Sequence, residues 1–379
     1  MNLLVLGQYG ETTSGPSRVL TEVVDHLSEN LNILVLSPRK RREQHRADQN
    51  SGNLKIRFQA CGQIPGVPGS HQLVEFLRIN RALNKLDFTP DLVWTHSGTL
   101  FASYRFSKFR KVPSVSTVHG VFGGFYKIEA KQALGGPISA LFEVQNTQVQ
   151  KYEFSKAHLL TTYSEYLQKL ILEVSPKAKV IVIPNGVNTK RFAESRAPRK
   201  HVVMYVGRMA KIKGVHILIE SMRYVAEKHP DWSLQLVGGA FDQPRSFFEG
   251  YMNEFTKERI EFLGQIPNEE LSSVLNDAGI FVMPTLRDGF EIAMMEALAS
   301  GIPCVTTAAF ERTELYGGYA ETVPPNDSKA LGEKLVWMIE NYSSLISPEA
   351  QRRRVDRASE FDWSSISRQY ENLFRKLTE

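Results

Sequence analysis

The sequence predicts an α/β protein made of two doubly wound domains that face each other across a cleft. Short apolar runs alternate with longer amphipathic stretches almost throughout the chain, as expected of successive βαβ units. The apolar runs are nearly continuous, which is typical of parallel strands covered on both faces. The rhythm restarts after a polar segment at 193–200, and a length of 379 residues suits two domains.

Strands are predicted where four or five apolar residues follow one another, and helices where apolar residues recur with helical spacing. The strands expected in the first half are Leu3–Leu6, Asn32–Leu36, Leu54–Phe58, Leu92–Thr95, Ser114–Val118, Leu159–Thr162 and Val180–Ile183. Those expected in the second half are Val202–Val206, Ser233–Val237, Ile260–Leu263, Ile280–Met283, Pro303–Thr306 and Glu321–Val323. Helices are expected at Ser17–Glu29, His71–Leu86, Pro137–Phe154, Glu165–Glu173 and, in the tail, over 361–377.

The segment from Ala193 to Lys200 is polar, contains proline and lacks periodicity, so it is the predicted linker. It separates an N-terminal Rossmann-like domain at 1–193 from a C-terminal Rossmann-like domain at 200–360. The residues 361–379 form the tail helix. Doubly wound sheets bind ligands at the carboxyl ends of their strands, so the loops that follow strands are where site residues are expected.

The composition is that of an ordinary globular protein, with 42% hydrophobic and 23% charged residues. The sequence contains no apolar run of the length that a membrane span needs. The apolar run at the N-terminus is too short for a signal peptide and lacks a basic flank, which favours a cytoplasmic protein. Cys61 and Cys304 are far apart, so neither a disulfide framework nor a structural zinc site is expected.

The net charge of +5 comes from local basic clusters. One cluster is Arg39–Arg42 with Arg46, and the other comprises Arg105, Lys108, Arg110 and Lys111. Such clusters attract the phosphates of nucleic acids, anionic lipids or lipid-linked diphosphates, although they are also compatible with solvated surface loops. Because no nucleic-acid-binding signature accompanies them, a peripheral contact with an anionic membrane is the favoured partner and nucleic acid is not expected.

The segment Met283–Pro303 carries the strongest chemical signal. A strand ends at Pro284 and a helix begins near Glu291, so backbone N–H groups at 289–291 are free to bind an anion or sugar hydroxyls. Asp288 precedes this helix and Glu296 lies about a turn and a half into it, where both carboxylates can face a cleft. The alternative is that Asp288 is an N-cap and Glu296 a residue of the helix surface.

Basic residues follow the first strand of the second half. Arg208 and Lys213 lie between the end of that strand and the next helix, where two cations suit a diphosphate. A basic surface loop is the alternative. No pattern of metal ligands accompanies either segment, so no metal site is expected.

Two further segments follow strands of the first half. Gly15 and Pro16 open the first helix, although the loop lacks the GxGxxG spacing of dinucleotide binders and is also compatible with a plain βα turn. His119 comes directly after a strand, where a histidine can bind a sugar or position an acceptor. A structural histidine is the alternative for His119, and more so for His96.

Taken in order, these segments resemble the retaining glycosyltransferase family 4, which has the GT-B fold. Each segment is short, but their joint order and spacing are specific. The matching segments are the loop at 10–18, Thr117–Gly120, Ile183–Asn188, Gly207-Arg208, Lys213-Gly214, Phe262–Gly264, Asp288–Glu296 and Phe361–Trp363.

The resemblance implies a role for each matching residue. Arg208 and Lys213 match the pair that binds the donor diphosphate. Glu296 matches the acid that holds the ribose hydroxyls, and Asp288 matches the first acid of the E-x7-E motif, near the donor sugar. His119 matches the histidine beside the donor sugar. His119, Asp288, Arg208 and Lys213 are therefore the expected catalytic residues.

The remaining residues expected at the donor are Gly15, Gly264, Gly289, Phe290 and Glu291. Gly15 matches the N-domain loop that approaches the phosphate and the acceptor. Two positions depart from the family pattern: Asp288 is one methylene shorter than the usual glutamate, and Glu291 replaces a usual glycine. Both departures are expected to affect which donor sugar is accepted and how efficiently it is transferred.

The resemblance implies a retaining transfer of a sugar from a UDP- or GDP-linked donor to an acceptor hydroxyl, with no metal and no further cofactor. The acceptor is expected to be a glycan or a lipid-linked glycan that docks near His119 and the aromatic residues Phe122, Phe125 and Tyr126. Polysaccharide or lipid-linked glycan assembly at the inner face of the membrane is the expected setting. The alternatives are a non-catalytic homologue and a sugar-nucleotide epimerase.

Overall fold

The computed structural model describes residues 1–10, 15–39, 49–60, 79, 81–96, 106–121, 147–193, 199–239, 241–286, 290–308 and 312–379. The chain divides into two compact units. The first unit comprises Met1–Asn185 together with Trp363–Glu379, and the second comprises Gly186–Asp362. Both are α/β units with largely parallel sheets, so the two predicted Rossmann-like domains are confirmed.

The sheet of the first unit has eight strands in the order β3-β4-β2-β1-β5-β6-β7-β8. They are β1 Asn2–Leu6, β2 Asn32–Arg39, β3 Gln49–Ser51, β4 Leu54–Ala60, β5 Leu92–His96, β6 Ser114–Thr117, β7 Leu159–Thr162 and β8 Val180–Val182. All neighbouring pairs are parallel except β3 and β4, which form an antiparallel pair. The seven predicted strands are confirmed, and the short β3 was not predicted because its three residues are all polar.

The helices of the first unit include Gly15–Asp25, Glu165–Val174 and Trp363–Thr378, and residues 81–84, 106–110 and 147–156 are also helical. The parts of the predicted helices at 71–78 and 137–146 lie outside the described residues. The apolar faces of the described helices and strands form the core, in which the residues of β1 from Leu3 to Leu6 are inaccessible to solvent.

The helix Trp363–Thr378 packs against the sheet of the first unit. The rings of Tyr370 and Phe374 lie 5.1 and 5.5 Å from that of Trp94 on β5. The Trp94 indole N–H donates to the hydroxyl of Thr117 on β6 at 2.9 Å. The buried Tyr370 hydroxyl hydrogen-bonds with Thr117 and Thr161. The helix thus closes the core of the first unit through both apolar and polar contacts.

The boundary between the units differs from the expected one at 193. The Val187 N–H donates to the Phe361 carbonyl at 2.8 Å, and Val187 pairs with Asp362 in a β-bridge. The Thr189 hydroxyl also donates to the Asp362 carboxylate. These bonds join 186–193 to the segment around Asp362, so the second unit begins at Gly186.

The sheet of the second unit has six parallel strands in the order β11-β10-β9-β12-β13-β14. They are β9 Val202–Val206, β10 Ser233–Val237, β11 Ile260–Gly264, β12 Ile280–Met283, β13 Cys304–Thr307 and β14 Glu321–Val323, which confirms the predicted strands. Its helices are Thr189–Ala193, Val215–Lys228, Arg245–Glu249, Leu271–Asn276, Ile292–Ala299, Arg312–Tyr316, Ser328–Glu340, Tyr342–Leu345 and Pro348–Ser359. Three short 3₁₀ turns are Lys211–Lys213, Lys257–Arg259 and Asn268–Glu270.

Among the described residues, no helix combines the length and the apolar character needed to cross a membrane. Cys304 is buried, and its burial raises the pKa of the thiol to about 12. The Cys304 side chain therefore stays protonated and behaves as a small apolar residue, whereas Cys61 lies outside the described residues.

Candidate functional site

The candidate site of the second unit lies where its strand order reverses. From β9 the chain continues to β10 on one side, and it reaches β12 on the other side only later. The loop 207–214 leaves the carboxyl end of β9 at this point, and the loop 284–291, of which 284–286 and 290–291 are described, follows that of β12. Such a reversal is where doubly wound sheets bind their ligands.

These two loops are in direct backbone contact. The Leu286 N–H donates to the Ile212 carbonyl at 2.9 Å. Gly214 has a left-handed φ of 69°, and a Cβ there would lie only 2.0 Å from the Pro284 carbonyl oxygen. A residue with a side chain cannot take this place, so glycine lets the basic loop lie against the loop that follows β12.

Glycines also bring the ends of β9, β10 and β11 close together. Gly238 has a φ of 140°, and a Cβ there would lie 1.8 Å from the Gly207 carbonyl oxygen. Its N–H donates to the Gly264 carbonyl at 2.7 Å. A Cβ at Gly264, a predicted donor residue, would meet no atom within 4 Å, so open space adjoins this backbone.

The two predicted cations differ in their surroundings. Arg208 is exposed just past β9, and its carbonyl accepts a hydrogen bond from the Tyr205 hydroxyl at 2.7 Å. Lys213 ends the 3₁₀ turn Lys211–Lys213, and its side chain is only 13% exposed. Its Nζ lies 3.6 Å from Oε1 of Glu291. The sequence indicated the cations but not this pairing.

Glu291 is a buried carboxylate at the start of the helix Ile292–Ala299. Its side chain is 3% exposed, and it accepts a hydrogen bond from the Thr285 hydroxyl. The Glu291 N–H donates to the Tyr316 hydroxyl at 3.2 Å. The Thr285 carbonyl in turn accepts a hydrogen bond from the Thr307 hydroxyl at 2.6 Å. This bond fixes Thr285, whose hydroxyl donates to the Glu291 carboxylate. A negative charge at a helix N-terminus is electrostatically favourable.

Glu296 lies in the same helix and is fully buried, so it is not a residue of the helix surface. Phe290 precedes Glu291 and is partly buried, with its ring 6.1 Å from that of Phe361. The predicted residues Asp288 and Gly289 lie outside the described residues.

In the first unit, β1 lies between β2 and β5, so the strand order reverses there. His96 is the last residue of β5, and His119 follows the neighbouring β6. Their Nε2 atoms lie 2.9 Å apart and their ring centroids 4.4 Å apart. The structure therefore places the predicted residue His119 in contact with His96, for which the sequence analysis favoured a structural role more strongly.

Burial lowers the pKa of His119 from 6.5 to about 4. The pKa of His96, which is 1% exposed, is lowered well below 6.5 by burial and further by the neighbouring His119. Both rings are thus uncharged at neutral pH, and one donates its Nε2–H to the lone pair of the other. The pair can offer hydrogen bonds to a ligand but no charge.

Gly15 begins the helix Gly15–Asp25 and is exposed, with no atom within 4 Å of a Cβ placed on it. The described part of the preceding loop is tied to this helix, because the Gly10 N–H donates to the Thr21 hydroxyl at 2.8 Å. The Ser17 hydroxyl likewise donates to the Gln8 side chain at 2.9 Å. Gly15 is therefore an exposed residue at the first position of this helix, and residues 11–14 before it lie outside the described residues.

The basic clusters are described in part. Lys108, Arg110 and Lys111 are exposed around Phe109, whose side chain is 82% exposed. Arg39 ends β2, whereas residues 40–42, 46 and 105 of the clusters lie outside the described residues, as do the predicted acceptor residues Phe122, Phe125 and Tyr126. Within the described ranges, no three His, Cys, Asp or Glu side chains are grouped so that they could hold a metal ion.

Two family models match consecutive parts of the chain. The model described as Glycosyltransferase Family 4 matches residues 13–191, and the model described as Glycosyl transferases group 1 matches residues 200–341. Glycogen synthase of Mycobacterium tuberculosis is 26% identical over 308 residues, which is 77% of this chain and 70% of that protein.

Solved structures share the fold. Sucrose-phosphate synthase from Thermosynechococcus elongatus superposes with a TM-score of 0.82 at 20% identity, covering 100% of this chain and 99% of that chain. Anabaena Alr3699/HepE in complex with UDP-glucose superposes with a TM-score of 0.74 at 19% identity, covering 99% of this chain and 100% of that one. Together with the family models, these matches agree with the resemblance stated from the motifs. The chain is a glycosyltransferase of the family 4 type that acts in glycan biosynthesis.

Proposed function

We propose that this glycosyltransferase transfers a hexosyl group from a UDP- or GDP-linked donor to an acceptor hydroxyl, with retention of the anomeric configuration and without a metal ion. The observation that carries the proposal is the contact between the loops 207–214 and 284–291 at the strand-order reversal of the second sheet. This contact holds Lys213 beside the start of the helix Ile292–Ala299, and Arg208 lies in the same loop as Lys213. The complex of Alr3699/HepE with UDP-glucose supports a nucleotide-sugar donor.

We assign the donor diphosphate to Arg208 and Lys213. As the bond between the anomeric carbon and the phosphate oxygen breaks, negative charge grows on the departing diphosphate, and two fixed cations stabilise it. The acceptor oxygen forms the new bond on the same face of the sugar, and the departing phosphate oxygen takes the acceptor's proton. The two cations would supply the charge that a divalent metal supplies elsewhere.

The remaining roles follow the resemblance. Glu296 would hold the ribose hydroxyls, while Asp288 and His119 would contact the donor sugar. Gly15, Gly264, Gly289 and Phe290 would line the donor. Because the low pKa of His119 keeps its ring uncharged, it would bind a neutral sugar by hydrogen bonds alone.

The experiment that tests the proposal is a thermal-shift screen of UDP- and GDP-linked sugars followed by a transfer assay. A donor at about 100 times its dissociation constant adds about 2.7 kcal/mol to the free energy of unfolding. The hit is then incubated with EDTA and with candidate glycan acceptors. The proposal is contradicted if no UDP- or GDP-sugar stabilises the protein, and the metal-free part is contradicted if EDTA abolishes transfer and Mg²⁺ restores it.

We further propose that the acceptor is a glycan or lipid-linked glycan and that the first unit contacts the inner face of an anionic membrane. Phe109 and its neighbours Lys108, Arg110 and Lys111 support this, because an exposed ring flanked by cations suits a lipid interface. Vesicles of phosphatidylglycerol should bind the protein at low salt, and Phe109→Ser should weaken that binding. Equal binding to phosphatidylcholine vesicles, or none to either lipid, would contradict the membrane contact.

A further inference from the structure

In this structure a carboxylate of the same unit, that of Glu291, lies beside Lys213. We infer that Glu291 is an internal counter-ion with which the donor diphosphate must compete for Lys213, so that Glu291 weakens the binding of nucleoside diphosphates and speeds their release. The inference rests on the proposed function, in which Lys213 binds the diphosphate. It assigns a role to the residue at which the chain departs from the glycine usual in the family.

The geometry makes this a weakly screened interaction. Nζ of Lys213 lies 3.6 Å from Oε1 of Glu291, and the two side chains are only 13% and 3% exposed. Solvent and salt screen such a buried pair much less than a surface pair. The ammonium of Lys213 is therefore partly neutralised before any ligand arrives.

Glu291 is also held in place. Its carboxylate accepts from the hydroxyl of Thr285, a residue that is fully buried. Its backbone N–H and carbonyl are both within hydrogen-bonding distance of the Tyr316 hydroxyl, at 3.2 and 3.3 Å. When a diphosphate binds Lys213, this carboxylate therefore stays beside the lysine and continues to neutralise part of its charge.

A fixed carboxylate beside Lys213 lowers the positive potential that a diphosphate meets there, so the complex gains less electrostatic free energy. The product diphosphate is held less tightly for the same reason. Glu291 is thus an affinity-setting residue, and it acts through Lys213 rather than by touching the transferred sugar. This separates it from a residue that recognises sugar hydroxyls.

The dissociation constants of UDP and GDP are measured by isothermal titration calorimetry. The variants are then compared with whichever nucleotide binds the wild-type protein more tightly. Neither ligand carries the transferred hexosyl group, so contacts with that group cannot contribute. Glu291→Gln keeps the shape and the oxygen that accepts from Thr285 but removes the charge. We expect this variant to bind the nucleotide about tenfold more tightly. Glu291→Gly, which restores the usual glycine, should tighten binding in the same direction.

The matched control is Glu321→Gln, which neutralises a carboxylate 2.9 Å from Lys334 in the same unit. That pair lies outside the candidate site, so the dissociation constant should not change. A second comparison introduces Glu291→Gln into the Lys213→Met variant. The gain in nucleotide affinity should disappear there, because the lysine that Glu291 neutralises is gone.

The outcomes separate the inference from the proposed function. If the wild-type protein binds the nucleotide and Lys213→Met weakens that binding, while Glu291→Gln leaves it unchanged or weaker, only the inference is wrong. A gain that persists in the Lys213→Met background also overturns it, because Glu291 would then act directly on the phosphate. If neither UDP nor GDP binds the wild-type protein or the Glu291→Gln variant, the proposed function itself fails.

Discussion

The two units carry their candidate residues at the carboxyl ends of parallel strands near the reversal of strand order, but with opposite chemistry. In the second unit the loops after β9 and β12 hold charged groups, among them Lys213 and Glu291 at 3.6 Å. In the first unit the ends of β5 and β6 hold the uncharged imidazoles of His96 and His119. At these strand ends, the charged groups thus belong to the second unit and the neutral hydrogen-bonding rings to the first.

The sheets that support these groups differ in the same way. The central strands β9 and β12 of the second unit are composed of apolar residues. Strands β5 to β7 of the first unit bury many hydroxyl groups, including those of Thr117 and Thr161, which lie 2.8 Å apart. The difference fits a division of labour in which the second unit stabilises charge on a leaving group and the first unit binds uncharged sugar and acceptor groups.

The largest expected effect concerns Gly238, which follows β10 and lies against the residue that follows β9. Gly238→Ala places a Cβ 1.8 Å from the Gly207 carbonyl at a φ of 140°, so we expect the free energy of unfolding to fall by about 3 kcal/mol or more. Gly264→Ala is the matched control, because its φ of 72° carries strain but its Cβ has open space, and about 1 kcal/mol is expected. Urea unfolding measures both. Equal losses would contradict a role for close backbone packing at this edge.

The second prediction tests whether the charge of the second unit serves the reaction. Arg208→Ala and Lys213→Ala should each lower turnover by about 10²-fold or more, since each removes a group that stabilises the leaving charge. Lys200→Ala is the control: this lysine is 63% exposed, pairs with Asp277 at 2.7 Å and precedes β9. Initial rates with the selected donor measure the effect. Near-normal turnover in both site variants would remove the diphosphate assignment.

The third prediction concerns the uncharged pair of the first unit. Because the pKa of His119 is about 4 in the folded protein and near 6.5 when unfolded, the unfolded chain binds more protons between these values. The contribution of neutral His119 to the free energy of unfolding is therefore complete above pH 6.5 and is lost as the pH falls towards 4. By pH 5, His119 alone should cost roughly 2 kcal/mol.

Unfolding free energies at pH 7 and pH 5 measure this effect in the wild type and in His119→Asn. The variant lacks the titrating ring, so it should lose about 2 kcal/mol less than the wild type over that range. The same loss in both proteins would mean that His119 is not held neutral by burial, and the contrast between the units would fail.

The sequence predicted most of the fold because buried parallel strands leave near-continuous apolar runs. It missed β3, which is polar and is paired through a two-residue Gly52-Asn53 turn. That dipeptide between two strands is a hairpin signal, and it could have been used. The unit boundary was also misplaced, because the bonds that join 186–193 to Asp362 connect distant parts of the chain.

For the candidate site, the sequence indicated which loops carry cations and carboxylates but not how these groups pair. Arg208, Lys213 and Glu296 follow from strand ends and the motif. The pairing of Lys213 with Glu291 depends on Gly214 lying against Pro284, a contact between loops that no local pattern encodes. His96 and His119 likewise gained significance only when the register of β5 and β6 brought their rings together.

The helix Trp363–Thr378 has a consequence for the order in which the protein is made. The first unit buries Trp94 against Tyr370 and Phe374, and those partners emerge from the ribosome only after all of Gly186–Asp362. The second unit is continuous in sequence, so its core needs no segment that is made after Asp362. The nascent first unit must wait with an incomplete core, so a stop codon just before Trp363 would spare the second unit and leave the first unable to finish folding.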